Sequence, residues 1–171
     1  MNREEMIEAL SAVGAELEYK GIAAKLYIVG GAVMVLAHNS RDATFDVDGD
    51  FYPRDAVTEV VAEVARRQGL PGDWLNAAAN GFIPMFKSPD WRPLYRFGSL
   101  EILAADNRTM LAMKIRASRG RRDEPDIALL LQLCGITSVE QAIELYEEYF
   151  PEDPPPKRAS AILTYLLQTE R

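Results

Sequence analysis

The spacing of apolar residues predicts a mixed first part of the chain and a helical second part. Apolar positions recur every three or four residues over residues 2–19 and about 54–68, as on amphipathic helices. Short, partly alternating apolar runs predict strands at residues 25–29, 44–50 and 97–104. From residue 125 onward the pattern predicts helices only. The expected fold class is therefore α/β (α+β), with a small mixed sheet and a helical C-terminal half.

Two glycines, Gly30 and Gly31, stand between the first predicted strand and a short apolar run at residues 32–37. By periodicity alone this run fits a buried helix or a strand. We favour the helix, because the glycines then lie at a helix N-terminus, where backbone N–H groups attract an anion. Glycine also lacks the side chain that would keep a phosphate away from the backbone. The pattern thus predicts a phosphate-binding turn.

Two aspartates, Asp46 and Asp48, lie in the second predicted strand. Because side chains alternate across a strand, the two carboxylates and that of Asp50 are expected on one face, with Phe45 and Val47 in the core. Two carboxylates about 6–7 Å apart along a strand can flank magnesium ions and the phosphates that these ions bridge. The alternative is a glycine turn followed by a solvated acidic strand end.

The order and spacing of these residues match a known pattern. One segment contributes Gly30, Gly31, Arg41, Thr44, Asp46 and Asp48. A second contributes Leu-x-x-Lys-x-x-Ala at residues 111–117 and an Arg-Asp-x-x-Asp-like element at residues 122–126. Together they span roughly residues 25 to 130. The chain resembles the nucleotidyltransferase superfamily, in the branch of small AbiEii/MenT-like toxins and their uncharacterised relatives.

The resemblance implies magnesium-dependent transfer of a nucleoside monophosphate from NTP to an acceptor hydroxyl. In that reaction Asp46 and Asp48 would hold Mg²⁺ and act in catalysis. The nucleotide would be contacted by Gly30, Gly31, Thr44 and Arg41. The resemblance also implies tRNA or another RNA end as the acceptor, and a cognate antitoxin protein as the partner in a toxin–antitoxin pair.

A basic segment interrupts an otherwise acidic chain, whose formal net charge is −7. It contains Arg108, Lys114, Arg116, Arg119, Arg121 and Arg122, without an acidic residue among them. Such a local patch indicates a particular anionic ligand rather than general adhesion to nucleic acid. Lys114 lies mid-helix among apolar neighbours, where its ammonium needs an anionic partner such as a triphosphate or the aspartate pair. The alternatives are a solvated basic helix face or a stem along the core with its charge in water.

Two further carboxylates are candidate site residues, and each also has a purely structural interpretation. Asp126 would orient Lys114 or position an acceptor hydroxyl, as the matching family position implies, or it is an acidic residue in the first turn of a helix. Many nucleotidyltransferases add a third metal-binding carboxylate from a neighbouring strand, and Glu101 is the candidate for that position. Otherwise Glu101 is an ordinary exposed strand residue and two carboxylates act alone.

Length and composition bound the class of protein. A chain of 171 residues with 48% apolar content predicts a single domain, residues 1–171, with a catalytic core at about 21–122 and a helical cap or partner surface at about 123–171. No apolar run approaches the roughly 18–20 residues of a membrane span, and the first residues do not resemble a signal peptide. We therefore expect no membrane partner and a cytoplasmic location.

The sequence is compatible with two candidate functions. The first is the nucleotidyltransferase, favoured by the intact Asp46, Asp48 and Lys114. The alternative is a catalytically weak nucleotide-binding module, which would regulate a protein partner through its acidic helical face. The scarcity of basic residues outside one segment and the loose match at Glu101 favour that alternative.

Overall fold

The computed structural model describes residues 1–118 and 120–168. It has a five-stranded mixed sheet and seven α-helices among these residues, which confirms the α+β class. The chain forms two compact units, and each is described by itself. The first comprises Met1–Gly81 and Trp91–Ala105, and the second comprises Phe82–Asp90 and the described residues from Asp106 onward. The division into catalytic core and cap near residue 122 stays a prediction.

The first unit contains three helices and all five strands. In chain order its elements are α1 (Arg3–Tyr19), β1 (Ala24–Val29), α2 (Gly30–Leu36), β2 (Val47–Tyr52), α3 (Arg54–Gln68), β3 (Leu75–Asn76), β4 (Trp91–Phe97) and β5 (Leu100–Ala105). The start of α1 is a capping box, because Asn2 accepts a hydrogen bond from the Glu5 N–H and the Glu5 carboxylate accepts one from the Asn2 N–H. The run after Gly31 is a helix, as the sequence predicts.

The strand order in the sheet is β3-β2-β1-β5-β4, which places β1 at the centre. β1 pairs antiparallel with β2 and parallel with β5, β3 runs parallel to β2, and β4 pairs antiparallel with β5. A bulge interrupts β4 between Pro93 and Tyr95. This edge strand lies where the apolar pattern predicts none, since proline breaks the alternation and is tolerated on an edge.

One face of the sheet forms the core with α1 and α3. Leu26, Ile28 and Ile102 are fully buried on this face. Helix α1 approaches so closely that a Cβ on Gly14 would lie 2.2 Å from the carbonyl oxygen of Phe97. By strand alternation and register, the other face carries polar side chains, including those of Lys25, Tyr27, Asp48, Asp50 and Glu101.

The segment before β2 differs from the prediction. The strand begins at Val47 rather than at Thr44, and Phe45 is 79% exposed instead of lying in the core. The reason is that the preceding backbone pairs with the start of the chain: Ala43 bridges Asn2, and the Thr44 N–H donates to the Met1 carbonyl. Alternation in the sheet therefore starts only at Val47, which is buried as predicted.

The second unit contains the other four helices, α4 (Asn107–Ala117), α5 (Glu124–Cys134), α6 (Val139–Tyr149) and α7 (Lys157–Gln168). Asp106 caps α4 as predicted, accepting hydrogen bonds from the Arg108 and Thr109 N–H groups and from the Thr109 hydroxyl. Burial raises the pKa of Asp106, but these bonds and one from the Asp90 N–H outweigh it, so the pKa is lowered.

Among the described residues, no single helix is long and apolar enough to cross a membrane. Only α5 and α6 taken together, with a bend of 91° at their junction, meet the length and composition of a span.

Candidate active site

The centre of the site is the turn between β1 and α2. Val29, the last residue of β1, pairs with Asp48 on β2. Gly30 follows with a positive φ of 69°, and a Cβ at this position would lie 3.2 Å from Oδ2 of Asp48. Glycine therefore satisfies both the backbone conformation and the close approach of the carboxylate. The structure brings together the glycine turn and the aspartate that the sequence places in one site.

The next glycine is packed against a hydroxyl group. A Cβ on Gly31 would lie 2.4 Å from Oγ1 of Thr44, a distance that real Cβ contacts do not reach. A threonine hydroxyl and an aspartate carboxylate thus line backbone that has no side chains of its own. The first N–H groups of a helix have no partner within the helix, and for α2 these groups belong to the residues of this turn.

Asp46 lies just before β2 and is half-buried. Its Oδ2 accepts a hydrogen bond of 2.9 Å from Nδ2 of Asn76. Asn76 is the last residue of β3 and stands in register with Asp48. Sequence reasoning missed Asn76. The available signal was a polar residue directly after the apolar pair Trp74 and Leu75, both of which are buried.

Asp50 and Arg41 are two further residues that the sequence assigns to this site. Oδ1 of Asp50 accepts hydrogen bonds from the Arg54 guanidinium at 2.6 Å and from the Phe51 N–H at 3.0 Å. This carboxylate is therefore occupied by the first residue of α3. Arg41 is half-buried in the segment between α2 and β2, and its contact with a nucleotide stays a prediction.

Glu101 does not join the aspartate pair. On β5 it stands in register with Lys25, and its carboxylate forms an ion pair of 3.3 Å with that lysine. Asp48 is in register with Val29, four residues further along β1, or about 13 Å at the rise of a strand. Glu101 and Asp48 share a face of the sheet but lie toward opposite ends of β1. The expectation of a third carboxylate from Glu101 is therefore not met, because register separates the two groups.

Lys114 has anionic partners within its own unit. Its Nζ lies 2.7 Å from Oδ2 of Asp126 and 3.2 Å from Oδ1 of Asp123. The Lys114 side chain is 11% exposed and that of Asp126 is fully buried. The solvated alternatives for Lys114 are therefore wrong. Asp126 contacts Lys114 and also lies in the first turn of α5, so the structure is compatible with both of its candidate roles. The assignment of Lys114 and Asp126 to nucleotide chemistry stays a prediction.

In the folded chain, acidic side chains from outside the basic segment form ion pairs with some of its cations. Arg108 forms an ion pair with Glu148, and Arg116 forms one of 2.7 Å with Asp153 while its guanidinium lies over the Phe150 ring. Tertiary structure thus supplies the acidic residues that the segment lacks. Arg121 and Arg122 are exposed, and Arg119 lies outside the described residues.

The donor set fits a magnesium ion that arrives with a nucleotide. Over residues 1–118 and 120–168, no group of three or more histidine, cysteine, aspartate or glutamate side chains could hold a metal ion. Mg²⁺, however, is commonly bound by one or two carboxylates while water and substrate phosphates supply the other ligands. Asp46 and Asp48, on either side of the buried Val47, provide that number of carboxylates.

Comparisons of the chain with protein-family models, with curated proteins and with solved structures found no match. Function therefore rests on the geometry of the site, and the resemblance to nucleotidyltransferases stays a prediction.

The contact between Gly31 and Thr44 gives a direct test of the turn. We expect Gly31→Ala to lower the free energy of unfolding by about 1–3 kcal/mol, because the added methyl group displaces Thr44. It should also weaken NTP binding, measured by equilibrium titration. Gly72→Ala is the matched control, since a Cβ at Gly72 meets no atom within 4 Å. Equal effects of the two changes would contradict the close fit.

Proposed function

We propose that the chain is a magnesium-dependent nucleotidyltransferase, which moves a nucleoside monophosphate from NTP to an acceptor hydroxyl. One observation carries the proposal. The Asp48 carboxylate and the Thr44 hydroxyl lie against the side-chain-free backbone of Gly30 and Gly31, with Asp46 two residues from Asp48. A glycine turn beside one carboxylate, with a second carboxylate two residues away in the chain, is a combination suited to phosphoryl transfer.

The chain's own groups have distinct tasks in this reaction. The acceptor oxygen forms a bond to the α-phosphorus, the bond from that phosphorus to the bridging oxygen breaks, and pyrophosphate leaves with the electron pair. Backbone N–H groups at Gly30 and Gly31 bind phosphate oxygens, and an oxygen of the aspartate pair receives the hydroxyl proton. Asp46 and Asp48 would hold Mg²⁺, which when bound neutralises phosphate charge and polarises the acceptor hydroxyl.

The acceptor in this proposal is an RNA end, with tRNA as the first candidate, and the protein acts in the cytoplasm. A cognate antitoxin protein is the partner that the toxin-like pattern suggests. The support for RNA is the exposed pair Arg121 and Arg122 at the C-terminal end of the basic segment. Exposed arginines bind phosphates of the RNA backbone.

Incubation with each labelled NTP, Mg²⁺ and total RNA, followed by a denaturing gel, tests the proposal. We expect label on an RNA band with one or more of the four nucleotides, and none when Mg²⁺ is chelated. Label on protein would support the transferase activity but would show that the acceptor is a protein instead of RNA. Absence of transfer to RNA, protein and small hydroxyl compounds would contradict the proposal.

The RNA contact can be tested separately from catalysis. We expect the double change Arg121→Glu and Arg122→Glu to raise the RNA concentration needed for half-maximal transfer about 10-fold or more, because phosphate contacts are lost and like charges are added. Binding of NTP should be unchanged. Arg66→Glu with Arg67→Glu is the control, since these exposed residues of α3 give the same change in net charge. If the two double changes raise the required RNA concentration equally, RNA binding depends only on the total charge of the protein.

A second function is favoured by two particular contacts. Glu101 is bound to Lys25, and Lys114 is bound to Asp123 and Asp126, so each group already has a charged partner within its own unit. A module that binds a nucleotide with weak or no catalysis would have this arrangement. Tight NTP binding without transfer to any acceptor in the labelling experiment would favour that function.

A further inference from the structure

The Asn76 side chain is held at both ends. Its Oδ1 accepts a hydrogen bond of 2.7 Å from the Ala78 N–H, which closes a local turn. Its Nδ2 donates to the Asp73 carbonyl at 3.1 Å and to Oδ2 of Asp46 at 2.9 Å. The bond to the Ala78 N–H fixes which end of the amide is the oxygen, so the amide nitrogen is the end directed at Asp46.

We propose that Asn76 is a positioning residue, which fixes the Asp46 carboxylate for the metal ion delivered with NTP. The proposal rests on the proposed function, because it concerns the same metal-binding pair. Asp46 precedes β2, so the ladder of that strand does not hold it, whereas Asp48 is held in the ladder opposite Val29. The Asn76 amide supplies the missing restraint. It occupies one carboxylate oxygen of Asp46 and orients the group.

The register of β3 explains how Asn76 reaches this place. β3 has only two residues, and it adds just enough strand to set Asn76 beside Asp48. Leu75 is buried and anchors the strand next to Val47. Groups that orient metal-binding side chains typically change metal affinity or activity about 10- to 100-fold when removed.

Binding of Mn²⁺ in the presence of a non-hydrolysable NTP analogue, measured by electron paramagnetic resonance, tests the role without turnover. We expect Asn76→Ala to weaken Mn²⁺ binding about 10- to 100-fold. Asn76→Ser should do the same, because its shorter side chain can keep the turn to Ala78 but cannot reach Asp46. High Mg²⁺ should restore much of the turnover of both variants. The thermal midpoint of Asn76→Ser should stay close to that of the wild type.

Ala78→Pro separates the positioning role from a structural one. It removes the N–H that bonds Oδ1 of Asn76 and leaves the bond to Asp46, so near-normal Mn²⁺ binding is expected. If Ala78→Pro weakens Mn²⁺ binding as much as Asn76→Ser, Asn76 serves the turn and the proposal is wrong. Wild-type Mn²⁺ binding by either asparagine variant also overturns it. If the wild-type protein itself binds no Mn²⁺ with the analogue, the proposed function fails first, and that result is distinct from the other two.

Discussion

Asp48→Asn is expected to reduce nucleotide transfer by at least about 100-fold while leaving the fold intact. The amide has the size of the carboxylate, so it still fits beside Gly30, where a Cβ on the glycine would lie 3.2 Å from Oδ2 of Asp48. It lacks the negative charge that attracts a divalent cation and its bound phosphates. The reaction rate with the labelled NTP and the thermal midpoint of unfolding are the two measurements. Asp46→Asn should behave in the same way.

Asp50→Asn is the matched control for this change. Asp50 lies two residues after Asp48 on the same strand and by alternation on the same face, and its carboxylate is bound to Arg54. The substitution removes one negative charge, as Asp48→Asn does, yet transfer should change less than about threefold, because an exposed ion pair contributes little. Full activity of both Asp46→Asn and Asp48→Asn, or equal damage from Asp50→Asn, would exclude the aspartate pair as the metal-binding site.

Lys114→Ala is expected to lower the free energy of unfolding by about 3–5 kcal/mol. The change leaves Asp123 and Asp126, which are nearly or fully buried, without their shared cation. Their mutual repulsion and desolvation then oppose folding of the second unit. Urea unfolding measures the effect. Neutralising both aspartates in the same chain, by Asp123→Asn and Asp126→Asn, should recover part of the loss.

Arg108→Ala provides the comparison for Lys114. The ion pair between Arg108 and Glu148 is exposed, so its loss should cost about 0–1 kcal/mol. If Lys114→Ala costs no more than Arg108→Ala, the buried cluster does not stabilise the unit. The expected destabilisation also matters for function. A loss of turnover in Lys114→Ala is therefore evidence that Lys114 contacts the nucleotide only if the variant protein is shown to be folded.

The parts of the fold that sequence reasoning predicts are those decided by neighbours in the chain. Caps at Asn2 and Asp106 depend on residues two or three positions away, and both are confirmed. The approach of Gly30 to Asp48 follows from a strand, a turn and the next strand, and the structure has it. In contrast, β4 contains Pro93 and lies on an edge, so its pattern does not resemble that of a buried strand.

The parts of the fold that sequence reasoning misses depend on strand register and on partners distant in the chain. Glu101 has the right face but the wrong position along the sheet, which only the parallel register of β5 against β1 determines. Phe45 is exposed because the backbone before β2 pairs with the first residues of the chain. For Lys114, sequence correctly requires an anionic partner and offers Asp126 as one candidate, but it misses Asp123, whose contact follows from how α4 packs against α5.

The edges of the sheet are poorly suited to pairing with a second molecule. β3 is too short to offer a row of backbone groups to another chain. β4 combines a proline that cannot donate a hydrogen bond, a bulge, and the exposed Arg92 and Arg96. Such features prevent the pairing of edge strands between molecules. The sheet should therefore end within one molecule, and concentrated solutions should not convert to fibrils by strand addition.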